Sequence, residues 1–435
     1  MPSPSPRALV LGGYGLIGAS AMRALSEAGF DVTGVGRSLA AARLVLPQAR
    51  WEIADLTRLE ATDWAQLCAG YDVVVNAAGA LQDGGGDDLC AIHEDMLRHL
   101  LAGVQGRDVR LVQISAAGVS PEASTEFFRS KARGDALIRA SGVAHVILRP
   151  TLVLGQAAYG GTALLRAAAA LPLVDWQMLP EARIQTVALA DLNRAIVAAA
   201  RGEVPAGTVA DITEAESRPF PELVQDMRAW LGVPTPKLRL PLPGFALRLI
   251  GLGADLLAGL GWKSPLRSTA LRALADGITG DPTDWEKAGG PACRSLQEVL
   301  ANTPATVQER WFACSYLLLP LILATLALFW LASGLIGFWQ FEAAQQVLTN
   351  RGMGSGTAGM NVAVGIGLDL LLGTLVLFRR WVKVACLGMV AVTLGYLAAG
   401  TLLAPDLWMD PLGPFVKTLP AAVLALVPLA LMGNR

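Results

Sequence analysis

The stretch after Arg310 constrains this 435-residue chain most. Four apolar segments follow there, at about residues 312–336, 359–378, 384–404 and 419–432. In hydrocarbon every backbone N–H and C=O must be satisfied within the protein, so only helices or closed barrels can cross it. A helix needs about 20 apolar residues to span roughly 30 Å. The first three segments reach that length, while the last is short and contains Pro420 and Pro428. Residues 311–435 are therefore expected to form an all-α four-helix transmembrane domain. Composition agrees: the chain is 53 % hydrophobic and only 16 % charged, and nearly all of the apolar excess lies in this part.

The flanking charges suit one orientation. Arg310, the group Arg379, Arg380 and Lys383, and Arg435 fall on one side; Glu342, Asp406 and Asp410 fall on the other. Arg351 and Lys417 run against the trend. Positive residues stay on the cytoplasmic side. An even number of spans then places both termini, and everything before Arg310, in the cytoplasm of a multi-pass inner-membrane protein. Trp311, Trp339, Trp381 and Trp408 sit near the segment ends, where indoles favour the interface. Asp369 lies inside the second segment, and an ionisable group there is costly enough to be a functional candidate.

At the other end, "RALVLGGYGLIGASAMRALSEAGFDVTGVGRS" reads as strand (Ala8–Leu11), glycine turn, helix (about Leu16–Ala28) and second strand (Asp31–Val35). A secretory signal is the competing reading, since Arg7 precedes the apolar run and Ala19-Ser20-Ala21 follows it. The second strand and the charge asymmetry of the membrane segments both oppose export. Gly12, Gly15 and Gly18 have the spacing of a dinucleotide-binding turn. The first glycine allows a sharp turn, the second lets backbone approach a pyrophosphate, and the third lets helix pack on strand. The helix start at Leu16 and Ile17 would present free N–H groups to the phosphates.

Up to about residue 200, apolar strands alternate with amphipathic helices, as in a doubly wound parallel α/β sheet. Further strands are expected at Arg50–Ile53, Val73–Val75, Val109–Ile114 and Ala144–Leu148. Residues 1–200 are expected to form a Rossmann domain. Residues 201–310 form an irregular, α-rich connector or substrate region, with helices at Phe220–Leu231 and Ser268–Ala275. Its apolar stretch Leu240–Trp262 could form buried core helix, a substrate lid or a segment on a membrane surface; length and moderate polarity favour core helix. A net charge of −1 gives no reason to expect nucleic acid. The five cysteines are scattered without a C-x-x-C pair, so neither disulfides nor a metal site is expected. His93 and His99, six apart on a helical stretch, do not share a face and read as surface residues.

Arg37 and Ser38 end the second strand where an NAD-specific site would carry an acidic residue for the ribose hydroxyl. A guanidinium suits a 2′-phosphate better, so NADP is expected over NAD. Asp55 and Leu56 follow the third strand; Asp55 would lie near the adenine or cap the next helix. "VVVNAAGA" brings Ala77, Ala78 and Gly79 to the end of the fourth strand, small residues suited to backbone lying against a cofactor.

Gly12-Gly13-Tyr14-Gly15-Leu16-Ile17-Gly18, Asp55-Leu56, Asn76-Ala77-Ala78-Gly79, "LVQISAAG", "FFRSKARGDALI" and "LRPTLVLG" occur in the order found in extended and atypical short-chain dehydrogenases/reductases. Residues 7–200 resemble that family, and more weakly those to about 300. The likeness is greatest to the atypical branch that includes the Rossmann-fold accessory subunit of respiratory complex I. By hydropathy and span number, the membrane part resembles the small four-helix DoxX-like family.

The first resemblance implies that Tyr14, Ser115, Lys131 and Pro150 join the cofactor site, with Ser115 and Lys131 as catalytic candidates. It also exposes a departure. In the family's Tyr-x-x-x-Lys pattern, with Lys131 as the lysine, Phe127 stands where a proton-donating tyrosine belongs. Ser120, Ser130 and Tyr159 remain as substitutes, while Gln185 and Asp191 read as structural. Two functions fit. One is a reductase taking an apolar substrate, a quinone or lipid, from the membrane. The other is a non-catalytic cofactor-binding scaffold or sensor that docks a protein partner.

Overall fold

The computed structural model describes residues 5–80, 88–262, 264–411 and 413–432. The chain divides into two compact units, Met1–Asp255 with Ser264–Ala313, and Leu256–Lys263 with Cys314–Arg435. In the first, seven strands form one parallel sheet: β1 (Arg7–Leu11), β2 (Asp31–Gly36), β3 (Arg50–Ile53), β4 (Val73–Asn76), β5 (Arg110–Ile114), β6 (His145–Pro150) and β7 (Val209–Ile212). Their spatial order is β7-β6-β5-β4-β1-β2-β3, a doubly wound Rossmann arrangement. The six strands read from the sequence lie within two residues of their expected bounds. β7 is an addition: its four residues bury only Ala210 and Ile212, too short a pattern to stand out.

The central strands are apolar on consecutive residues because both faces of the sheet are covered. Ala8 and Val10 pack with Ala21, Met22 and Leu25 of α1 (Leu16–Glu27) and with Leu192, Ala195 and Ile196 of the helix Leu189–Ala200. Leu9 and Leu11 face the other layer: Trp64 of the helix Ala61–Leu67, Met96, Leu97 and Leu100 of Met96–Val104, and Ile138 of Glu126–Ala140.

Past residue 200 the helices Phe220–Leu231 and Ser268–Ala275 have the bounds read from the sequence. The first starts behind Pro219 with Pro221 in its opening turn and stops at Gly232, whose φ of +65° is left-handed. The helix Gly244–Gly259 corrects the core-helix expectation. It buries Leu247, Gly251 and Ala254 but exposes Phe245 to 68 %, Leu249 to 63 % and Leu252 to 57 %.

Buried carboxylates tie this region to the sheet. Asp191 accepts from the backbone and guanidinium of Arg294. Glu214, 1 % exposed, accepts from the backbone N–H and hydroxyl of Thr186 (2.9 and 2.6 Å), from Arg218 (2.7 Å) and from the N–H of Leu296 (2.8 Å).

In the second unit the four long helices are α2 (Leu318–Trp339), α3 (Ser355–Leu375), α4 (Val382–Leu403) and α5 (Pro414–Leu431), with the shorter helix Phe341–Thr349 between the first two. Among the described residues four helices are long and apolar enough to cross a membrane, the first of them counted from Val307. The last begins five residues before its expected start at Leu419, so its 18 residues span about 27 Å despite Pro420 and Pro428. Small residues set the close approach of α2 and α3: a Cβ on Gly334 would lie 2.7 Å from Leu370, and one on Gly373 2.9 Å from Leu331. Asp369 is buried in α3, where the Ser333 hydroxyl of α2 donates to it at 2.6 Å and Tyr396 of α4 lies 3.5 Å away.

Glu214→Ala removes the buried carboxylate shared by Thr186, Arg218 and the Leu296 N–H, leaving Arg218 its contact with Asp226. It is expected to lower the unfolding free energy of the first unit by about 3–5 kcal/mol, read as a lower denaturant midpoint. A loss below about 1 kcal/mol would show that the node is solvated or redundant.

Candidate functional site

The strand order reverses between β1 and β4, and the register makes their ends level: Leu11 pairs with both Val35 and Asn76. The crevice above this switch point is where open α/β sheets bind ligands. Gly12 has φ +69°, and a Cβ there would lie 2.8 Å from the Ala78 Cα. A Cβ on Gly18 would lie 2.2 Å from the Gly12 carbonyl oxygen, so only glycine lets α1 start this close to the turn. Gly15 differs. Its φ of −71° suits any residue, and a Cβ would meet only the Gly12 oxygen, at 3.3 Å. What glycine preserves at 15 is open space outside the turn. Gly15 is the N-cap of α1, yet no side chain caps the helix and its first turn holds no acidic residue. The leading N–H groups, at Leu16 and Ile17, have no acceptor within the helix.

Tyr14 covers the end of β2. A Cβ on Gly36 would lie 2.3 Å from its ring, and its hydroxyl accepts from the Arg37 N–H at 3.3 Å. Arg37 is exposed at the strand end, and the Ser38 hydroxyl caps the helix Leu39–Val45 by accepting from the Ala41 N–H. Asp55 has the capping role: it accepts from the N–H and hydroxyl of Thr57 and pairs with Arg58, at the turn that buries Leu56. At the end of β4 the Asn76 amide donates to Gln113 (2.8 Å) and accepts from the Ala78 N–H (3.1 Å). That fixes the path of Ala77, Ala78 and Gly79. Pro150 is buried at the end of β6, its carbonyl accepting from the Ala117 N–H.

Lys131 is no solvated helix lysine. It is 8 % exposed, and its ammonium donates to the Ile114 carbonyl (3.1 Å) at the end of β5. Burial lowers its pKa to about 8, opposed in part by Asp135. Phe127, one turn earlier, presents its ring 5.7 Å from the ammonium. The Ser115 hydroxyl donates to Asp135 (2.9 Å), which also pairs with Arg149, so it is engaged in a buried ion-pair network. Tyr159 is 60 % exposed, and Ser120 bonds Glu122.

His93 corrects the surface expectation: it is 3 % exposed, with Nδ1 2.8 Å from the buried Ser130 hydroxyl and its ring 5.9 Å from Phe127. No pattern in the sequence signals this. His93 sits in a π-helical turn, Ala91–Asp95, which shifts the angular spacing assumed between it and His99. Burial, then the Lys131 charge, push its pKa down to about 2. Gly79, His93, Phe127, Ser130 and Lys131 thus form one cluster. Among the described residues no group of acidic, cysteine and histidine side chains could hold a metal.

Residues 12–177 match a family described as NAD(P)H-binding, and residues 327–426 match the DoxX-like family. WbmH of Bordetella bronchiseptica, solved in complex with NAD+, is similar at TM-score 0.52 and 18 % identity, over 69 % of this chain and 97 % of that one. WbmG of the same organism, with NAD, gives 0.52 and 18 % over 70 % and 94 %. Pal from Bacillus thuringiensis gives 0.51 and 15 % over 70 % and 98 %. At these identities the likeness is one of fold. No curated protein matches the chain. The chain carries an NAD(P)-binding Rossmann domain and a DoxX-like helical domain.

Because unfolded His93 takes up a proton near pH 6.5 while the folded residue resists it down to about 2, folding stability falls as pH drops through that window. The expected slope from this group is about 1.4 kcal/mol per pH unit. His93→Gln should flatten the dependence of the unfolding midpoint between pH 6 and 5; an unchanged slope would mean that His93 is accessible to acid.

Proposed function

We propose that this protein is a membrane-anchored, NADP-preferring reductase of the short-chain dehydrogenase/reductase type, acting on a quinone- or lipid-like substrate drawn from the bilayer. The observation that carries the proposal is the uncapped start of α1 behind Gly15, with open space where a Cβ would intrude. Those N–H groups and the helix dipole suit a pyrophosphate. Gly12, Tyr14, Leu16, Ile17 and Gly18 shape that cradle. Arg37 and Ser38, beside Asp55 and Leu56, flank the adenosine end, where the guanidinium suits a 2′-phosphate. Ala77, Ala78, Gly79, Ser115 and Pro150 border the nicotinamide end, and Lys131 bonds its ribose. The bound nicotinamide supplies a hydride. Lys131, with its lowered pKa, can part with a proton near neutral pH, a role Phe127 cannot fill.

The membrane helices concentrate the protein where such a substrate dissolves. The exposed Phe245, Leu249 and Leu252 support the reading that Gly244–Gly259 rests on the membrane surface. The charge asymmetry favours cytoplasmic placement of the cofactor domain and both termini. A second reading, a cofactor-binding scaffold that docks a protein partner without turnover, is favoured by Phe127 alone.

Titration of the detergent-solubilised protein with NADPH and NADH, followed by nicotinamide fluorescence, tests the proposal. NADPH should bind at least tenfold more tightly, about 1.4 kcal/mol. Gly15→Asp should weaken binding about a hundredfold or more, since its carboxylate fills and repels the phosphate space. Arg37→Asp should reverse the preference towards NADH. Retained affinity in the first variant, or an unchanged ratio in the second, removes that residue from the site. NADPH oxidation with a panel of quinones separates enzyme from scaffold.

A further inference from the structure

We propose that His93 is a cofactor-binding residue: with Lys131 it forms a donor–acceptor pair for the vicinal hydroxyls of the nicotinamide ribose, in the place left apolar by Phe127. The inference rests on the dinucleotide reading above and assigns a contact that the sequence pattern does not contain.

The tautomer this contact requires is compatible with the hydrogen bonds. The Ser130 oxygen lies 3.2 Å from the Phe127 carbonyl and 2.8 Å from His93 Nδ1. With the hydroxyl proton on that carbonyl, the oxygen accepts from Nδ1, which then carries the ring proton and leaves Nε2 a bare lone pair. Nε2 is buried with no hydrogen-bond partner among the described residues. Buried acceptors are rarely left so, and one that is calls for an explanation.

Its position supplies one. A Cβ placed on Gly79 would lie 3.4 Å from His93 Nε2 and 3.8 Å from Lys131 Nζ, so both atoms border the same space beside the end of β4. The ring is held there from behind. Gly134 of Glu126–Ala140 packs so closely that a Cβ would lie 2.3 Å from the His93 carbonyl, and the π turn swings the side chain inward. An ammonium only donates and a bare ring nitrogen only accepts. A pair of neighbouring hydroxyls needs both: one oxygen accepts from Lys131 while one hydrogen is donated to Nε2. The imidazole stays neutral across the working pH range, because burial and the Lys131 charge both oppose its protonation.

The test uses the full detergent-solubilised chain and two ligands, NADPH and adenosine 2′,5′-bisphosphate, which lacks the nicotinamide riboside. His93→Leu should raise the Kd for NADPH about tenfold and leave that for the bisphosphate within about twofold. His93→Gln, whose amide oxygen can accept at the same reach, should recover most of the NADPH affinity and guards against a folding defect in the leucine variant. Unchanged NADPH affinity in both variants, or an equal loss for both ligands, overturns the assignment. Failure of the unaltered chain to bind either ligand would instead overturn the cofactor reading, and this contact with it.

Discussion

The first unit depends on one contact, the Gly12 carbonyl oxygen lying where a side chain on Gly18 would begin. That contact sets how soon α1 can start after β1, and so where its N-terminus points. With β2 and β4 paired on either side of β1, the helix start becomes the floor of the crevice at the strand reversal. Tyr14 over Gly36 and the Asn76 amide under Ala78 then complete its walls without any further glycine turn.

The far end of the crevice is built on a different principle. It is crowded: Lys131 donates to the Ile114 carbonyl and lies 5.7 Å from the Phe127 ring, which packs in turn against the His93 imidazole. Replacing a phenol by Phe127 removes an acid and also lowers the local polarity. Burial shifts both ionisable groups there towards the neutral form: His93 stays uncharged, while Lys131, with a pKa of about 8, keeps its charge at neutral pH but holds it less firmly than a solvated lysine.

Much of this was legible in the sequence. Continuous apolar runs such as Leu9–Leu11 and Val73–Val75 announce a sheet covered on both faces, and the glycine spacing announces the turn. Pro219 and Gly232 bracket the helix Phe220–Leu231 so strongly that its bounds could be read directly. Three things could not be read. β7 buries only alternate residues of a four-residue strand, and no periodicity can register over that length. The burial of Lys131 and His93 comes from tertiary packing that overrides their usual preference for solvent. The π turn breaks the angular arithmetic on which any face assignment rests. Asp55 takes the capping role that the sequence offered as one of two, whereas the capping bond of Ser38 had no counterpart in the sequence reading.

The Ser333–Asp369 bond in the second unit has a mechanical consequence. Two smooth helices of leucine, alanine and glycine can slide along each other with little change in contact, since one apolar surface resembles the next. A carboxylate that finds its hydroxyl at only one offset works like a dowel. Shifting α2 against α3 by a single turn, about 5.4 Å, would take the Ser333 hydroxyl away and leave Asp369 with only the longer contact to Tyr396. The pair of helices therefore has one depth at which it rests, and glycines that permit close approach do not also permit drift.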